Sequence, residues 1–202
     1  MKQKVKNPLD YSVIILAAGK SSRMGKPKWS LNYDHNTSFI EHIISEYHGF
    51  GCKEIVLVIN ETDYSSFVEK KYTVPDNFKL LINKYPEWDR FYSLKLGAKE
   101  LSCLQPVFVH NVDNPFVNQD VLDQLLNNLD VADYIVPEFD GRGGHPILIS
   151  NKIIEKVLST KENILHFKEF MNYFSKTKIY IDDKKILVNI NSLDDYWQYF
   201  NL

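Results

Sequence analysis

Four cations, Lys20, Arg23, Lys26 and Lys28, fall within nine positions and are interleaved with Gly19, Ser21, Ser22 and Gly25. Small residues let backbone N–H groups approach an anion while the cations neutralise it, so the expected ligand carries phosphates. The spacing is not that of a P-loop, which keeps four residues between its glycines and follows Gly-Lys with Ser or Thr. Here five residues separate Gly19 from Gly25, and Lys26 is followed by Pro27. The three spaced glycines of a dinucleotide fingerprint are also missing. Asp113 is the second candidate, at the end of the apolar run 106–112 and ahead of Asn114-Pro115. Phosphate chemistry needs a hard divalent cation, usually Mg²⁺ held by one or two carboxylates together with the phosphates. Asp113 suits that role, its competing reading being an Asx-turn residue that leads into a proline. His145 offers a ring donor for a phosphate or a heterocycle, or is a satisfied structural histidine entering a strand.

These residues need a scaffold that brings distant segments to one edge. Val13, Ile14, Ile15 and Leu16 form a short apolar run, the mark of a strand buried on both faces. The cationic loop then leaves the sheet at its carboxyl edge, where open α/β sheets bind ligands. Further strands are expected at 54–60, 78–83, 106–112, 133–137 and 145–150, with a strand pair at 177–181 and 186–190. Between them, helical spacing marks a helix capped by Ser38 and ended by Gly49 and Gly51, then segments 63–72, 94–101, 121–129, 152–158 and 163–174. Ser192 with Asp195 forms a capping box for a last helix. Strands alternating with helices imply βαβ units and a largely parallel sheet.

At 202 residues the chain suits one domain, 1–202, with 1–10 as a loose tail and roughly 70% of the unfolded surface buried. The 24 Lys+Arg against 26 Asp+Glu nearly cancel, which argues against nucleic-acid or membrane binding through bulk charge. Cys52 and Cys103 lack metal-ligand spacing and each sits beside an apolar run, so both are expected to be buried free thiols. No long apolar span occurs, and a cytoplasmic location is expected.

Residues 16–28 resemble the signature L-A-A-G-x-S-x-R-M-G-x-x-K of MobA-like nucleotidyltransferases, as Leu16-Ala17-Ala18-Gly19, Ser21, Arg23-Met24-Gly25 and Lys28. Asp113-Asn114-Pro115 is similar to the family's metal-holding D-x-P, and Asn191 stands where an Asp or Asn after the last strand completes the metal site. Asn83 and Ser93-Leu94-x-x-Gly97 resemble its base-proximal segment. Gly144-His145-Pro146-Ile147-Leu148 is similar to an element of the branch containing molybdenum cofactor cytidylyltransferases and guanylyltransferases. The likeness reaches from about residue 13 to 196.

The resemblance implies a three-layer α/β/α fold with a Rossmann-like, mostly parallel sheet of nucleotide-diphospho-sugar transferase type. It implies transfer of a nucleoside monophosphate from a triphosphate, CTP or GTP, to a phosphorylated acceptor resembling molybdopterin, with pyrophosphate released. Leu16, Ala17, Ala18, Gly19, Ser21, Ser22, Arg23, Lys28, Asn83 and Ser93 would bind the nucleotide, Arg23 and Lys28 through its phosphates. Asp113 and Asn191 would hold Mg²⁺, and His145 would meet the acceptor. Two departures bear on specificity. Residues 87–92, Glu-Trp-Asp-Arg-Phe-Tyr, stand where the family keeps a glycine, and 163–166 lacks the arginine often found after N-[ILMV]. The rival readings are a sugar- or alcohol-phosphate nucleotidyltransferase and a nucleotide sensor without turnover.

Overall fold

The computed structural model describes residues 10–19, 21 and 24–200. The expected tail 1–9, Lys20, Ser22 and Arg23 lie outside the described residues. In chain order the first half contains β1 (Ser12–Ala17), α1 (Phe39–Phe50), β2 (Ile55–Asn60), α2 (Glu61–Glu69), β3 (Phe78–Asn83), α3 (Asp89–Lys99) and β4 (Val107–Asn111). The second half contains α4 (Gln119–Leu126), β5 (Tyr134–Phe139), β6 (Arg142–Gly143), β7 (Ile147–Ile149), α5 (Asn151–Ser159), α6 (Phe167–Met171), β8 (Lys176–Tyr180) and α7 (Leu193–Tyr199).

All six residues of β1 are buried, because parallel partners flank it on both sides and helices cover both faces. The sheet order is β3-β2-β1-β4-β7-β5-β6, with β8 on the other side of β5. Strands β3, β2, β1 and β4 run parallel, as do β5 and β8, while β7 is antiparallel to both β4 and β5. Leu16 lies in register with Asn111, and the Val112 N–H donates to the Leu16 carbonyl at 3.1 Å. The loop after β1 and the Asp113 turn after β4 therefore leave the same edge side by side.

Alternation along β1 sends Val13 and Ile15 to one core with α1 and α4, and Ile14 and Leu16 to the other with α3, α5 and α6. The result is the expected three-layer α/β/α architecture. Helix α3 lies unusually close to β1, since a Cβ on Gly97 would come within 2.6 Å of Ile14 Cγ2. A third cluster of Met24, Leu31, Phe39, Phe116, Ile190, Tyr196 and Phe200 anchors α7 against the segment that follows the cationic loop. Both expected caps form. The Ser38 N–H donates to Glu41 and the Ser192 N–H to Asp195, at 2.8 and 2.9 Å, closing two capping boxes. Gly51 ends α1 at φ +91°, a conformation that suits glycine.

Three expectations are corrected. Segment 186–190 is no strand; residues 184–187 form a 3₁₀ turn, because carbonyls that would serve a ladder accept from Asn114 Nδ2 instead. Of 163–174 only Phe167–Met171 is helical, since the Thr160 and Glu162 carbonyls and the Asn163 side chain turn onto the Lys95 ammonium at 2.7, 3.1 and 2.8 Å. Cys103 is exposed whereas Cys52 is buried, and both are free thiols.

Candidate active site

A cleft of about 450 Å³ opens at the carboxyl edge of β1 and β4. One wall is the loop after β1, with Leu16, Ala17, Ala18, Gly19, Ser21 and Lys28; Asn111, Val112 and Asp113 form the floor. Asn191 closes one end, and Pro86, Asp89, Arg90 and Ser93 at the entry to α3 face the loop. The loop turns back on itself at Ser21 and Gly25, both at positive φ. The Met24 N–H donates to the Ser21 carbonyl at 2.9 Å and the Lys28 N–H to Ser21 Oγ at 3.4 Å. Pro27 then leads into the single 3₁₀ turn Lys28–Ser30, which aims Lys28 inward.

Lys28 Nζ donates to Asn191 Oδ1 at 2.7 Å and lies 3.5 Å from Asp113 Oδ2. Three residues spread over most of the chain thus meet at one point. The meeting is braced from below. Asn114 sends its amide to the carbonyls of Lys185, Ile186 and Val188, and the Ile190 N–H donates to the Asp113 carbonyl at 2.7 Å. His110 is fully buried, with Nε2 at 2.8 Å from the Asn114 carbonyl and Nδ1 at 2.9 Å from Tyr47 Oη. A carbonyl only accepts, so Nε2 carries the proton and Nδ1 takes the tyrosine's. Burial pushes the His110 pKa down to about 3, so the ring is a neutral strut beneath the Asp113 turn.

Among the described residues, Asp113 Oδ1 and His145 Nδ1 are buried without a hydrogen-bond partner. The free Asp113 oxygen, with the Asn191 amide oxygen nearby, is the donor set of a hard cation that takes its remaining ligands from water and phosphates. No cluster of three or more His, Cys, Asp or Glu able to hold a metal is found among the described residues. Asp113 and Asn191 are thus the residues that could hold a divalent cation, with phosphates completing its ligands.

The remaining expected site residues divide. Leu16, Ala17, Ala18, Gly19, Ser21, Lys28, Ser93, Asp113 and Asn191 line the cleft. Asn83 is buried behind Ser93, donating to its Oγ at 2.9 Å and accepting from the Tyr85 N–H at 2.7 Å, so it positions Ser93 and the turn before α3. His145 does not line the cleft; it lies behind Asn111, whose Nδ2 is 3.2 Å from His145 Nε2. Burial lowers its pKa, opposed by the Asp113 carboxylate and reinforced by Arg90. The close approach that requires glycine at 144 is to the Ile186 backbone, 2.5 Å from where a Cβ would sit. Ser22 and Arg23 lie outside the described residues. Sequence reading missed Asn111, Asp89 and Arg90 as lining residues. The replacement of glycine by 87–92 was the one signal pointing at the last two.

The pattern of the MobA-like NTP transferase domain matches residues 13–170. The chain belongs to this family. A bifunctional IspD/IspF enzyme of Wolbachia pipientis is 27% identical over 88% of the chain and 47% of its own length. The chain spans about half the length of the first two curated relatives it matches, 47% and 52%. The molybdenum cofactor cytidylyltransferase of Escherichia coli is 25% identical over 91% of this chain and 92% of its own. Among solved structures, Rv0371c of Mycobacterium tuberculosis superposes with a TM-score of 0.79 at 17% identity, covering 98% of this chain and 100% of its own. The same protein with manganese gives 0.73 at 16%, over 94% and 97%. These likenesses show the fold, a mostly parallel sheet between helices of nucleotide-diphospho-sugar transferase type. Within this MobA-like frame, Asp89 and Arg90 of the departing segment 87–92 line the wall at the entry to α3, while 163–166, the second departure, supplies no lining residue.

Proposed function

We propose that this MobA-like chain, working as one domain, transfers a nucleoside monophosphate from CTP or GTP to a small phosphorylated acceptor, molybdopterin-like in the first instance, and releases pyrophosphate. An acceptor phosphate oxygen bonds to the α-phosphorus as the α–β bridging bond breaks, and pyrophosphate leaves with that electron pair. The observation that carries the reading is the meeting of Lys28, Asp113 and Asn191 beneath the loop after β1. Such transfers rest on positioning and charge neutralisation, and the cleft offers both without a protein nucleophile.

Backbone N–H groups of 18–22 and Arg23 receive the β- and γ-phosphates in this reading. Lys28 leaves Asn191 for the oxygens around the α-phosphorus, where its charge offsets the one that develops. Ala17, Ala18 and Ser93 flank base and ribose, with Asn83 holding Ser93 in place. Asp113 and Asn191 would hold Mg²⁺, which when bound neutralises phosphate charge as a Lewis acid. The relative named molybdenum cofactor cytidylyltransferase supports the choice of CTP and of acceptor, and the manganese-bound neighbour supports a divalent ion. No helix among the described residues is long and apolar enough to cross a membrane; we place the reaction in the cytoplasm.

The test is a thermal-shift screen of the four common triphosphates with Mg²⁺, followed by pyrophosphate release with phosphorylated acceptors. A triphosphate that binds the folded state raises the melting temperature by mass action. Stabilisation by CTP or GTP with acceptor-dependent pyrophosphate release is the expected result. Release with sugar or alcohol phosphates alone moves the assignment to that acceptor class. Stabilisation without release on any acceptor makes the chain a sensor, a reading favoured by Lys28 filling the gap between the two oxygen ligands.

A further inference from the structure

We infer that Arg90, on the wall facing the cationic loop, receives the acceptor's phosphate through a two-pronged contact, so that the acceptor is a phosphomonoester recognised at its phosphate. This rests on the nucleotidyl-transfer reading above. Among the described residues only two cations line the cleft, Lys28 and Arg90. Lys28 is already engaged by Asn191 and Asp113 and stands on the same segment as the loop that would take the triphosphate. Arg90 rises from the first turn of α3 on the opposite side. Its guanidinium lies over the Phe167 ring, 5.4 Å from the centroid, and its side chain remains 48% exposed.

The nearest acid does not satisfy it. Arg90 Nε is 3.9 Å from Asp89 Oδ1, beyond hydrogen-bond distance. Asp89 itself accepts from the Arg90 backbone N–H at 2.5 Å and the Phe167 N–H at 3.4 Å. A guanidinium resting on an aromatic face keeps its in-plane donors free, and their fork matches two oxygens of one phosphate. Arg90 lines the same cleft as Asp113. That is where an oxygen attacking the α-phosphorus must approach.

The chemistry balances with no further reactant. A dianionic phosphate needs no base, because its oxygen bonds directly to the α-phosphorus as pyrophosphate departs with the electron pair of the broken bridge. Arg90 binds and orients; it accepts no proton.

Calorimetric titration of methyl phosphate into protein saturated with Mg²⁺ and the non-cleavable α,β-methylene analogue of CTP or GTP tests this. Wild-type protein is expected to bind methyl phosphate saturably. Arg90→Gln should weaken that binding about tenfold or more, as expected for loss of a charge-assisted pair, and Arg90→Lys should recover part of it. Analogue affinity and melting temperature should stay at wild-type values, since Arg90 is exposed. Methyl phosphate binding that is absent in wild type, or indifferent to Arg90→Gln, overturns the inference while intact analogue binding leaves nucleotidyl transfer standing. Loss of analogue affinity in Arg90→Gln overturns it too, by assigning Arg90 to the nucleotide. A wild-type protein that takes up no triphosphate overturns both readings together.

Discussion

The two walls of the cleft are built on different principles. On the loop side the groups at the floor are linked to one another: Lys28 to Asn191 and Asp113, the Asp113 turn to 185–190 through Asn114 and the Ile190 N–H, and that turn to the buried pair His110 and Tyr47. On the α3 side the Arg90 guanidinium makes no hydrogen bond to the described residues and rests on a ring, beside an aspartate at φ +63° and a stacked Tyr85–Trp88 pair 4.1 Å apart. In the proposed reading the linked side is organised in advance for phosphate and cation chemistry, and the open side is left for whatever distinguishes one acceptor from another.

The largest expected effects come from cutting the loop-side triad. Lys28→Ala should lower pyrophosphate release about a hundredfold or more with little change in melting temperature; an undiminished rate would remove Lys28 from the chemistry. Asp113→Asn should fall comparably and abolish the dependence on divalent cation. Next is the brace beneath. Asn114→Ala strands the carbonyls of Lys185, Ile186 and Val188, and buried groups without partners cost about 1–3 kcal/mol. Urea denaturation should register a loss of that order, together with reduced turnover. Stability unaltered would show that the brace is dispensable and the contrast between the walls overstated.

Gly97→Ala forces a methyl group to within 2.6 Å of Ile14 Cγ2, and overpacking of this kind costs about 1–3 kcal/mol. Because α3 carries Arg90 and Ser93, the same variant should disturb the open wall while leaving cation binding on the floor intact. Metal titration alongside unfolding would separate the two. The smallest effect is on pH dependence. Burial holds His110 near 3 against an ordinary 6.5, so below 6.5 the unfolded chain binds a proton that the native one refuses. Stability is therefore complete above 6.5 and falls toward pH 3 by about 1.4 kcal/mol per unit. His42, also lowered by burial, steepens the same slope. Unfolding midpoints measured between pH 6.5 and 4 should fall less steeply in His110→Gln than in wild type; equal slopes would deny the neutral strut.

Much of this was legible from local pattern. The apolar runs at 13–16, 54–60 and 106–112 marked strands, and Ser38 and the pair Ser192–Asp195 marked two helix starts that form as read. Strand ends could be located because a change from apolar to glycine, lysine or aspartate happens within a few residues. That pattern alone placed the loop after β1 and Asp113 at one edge.

What could not be read depended on partners far along the chain. Segment 186–190 has the composition of a strand, yet a side-chain amide more than seventy residues earlier takes its carbonyls. Residues 160–163 turn inward for a lysine in α3. His145 and Asn83 carry the right motifs but stand one residue behind the surface, because Asn111 and Ser93 occupy the front. Local sequence determined which elements form and which edge they share, since propensity, capping and burial act over a few residues. Tertiary structure alone decided which side chain reaches the cleft and which cation remains free to bind, since those depend on packing and hydrogen bonds closed between distant segments.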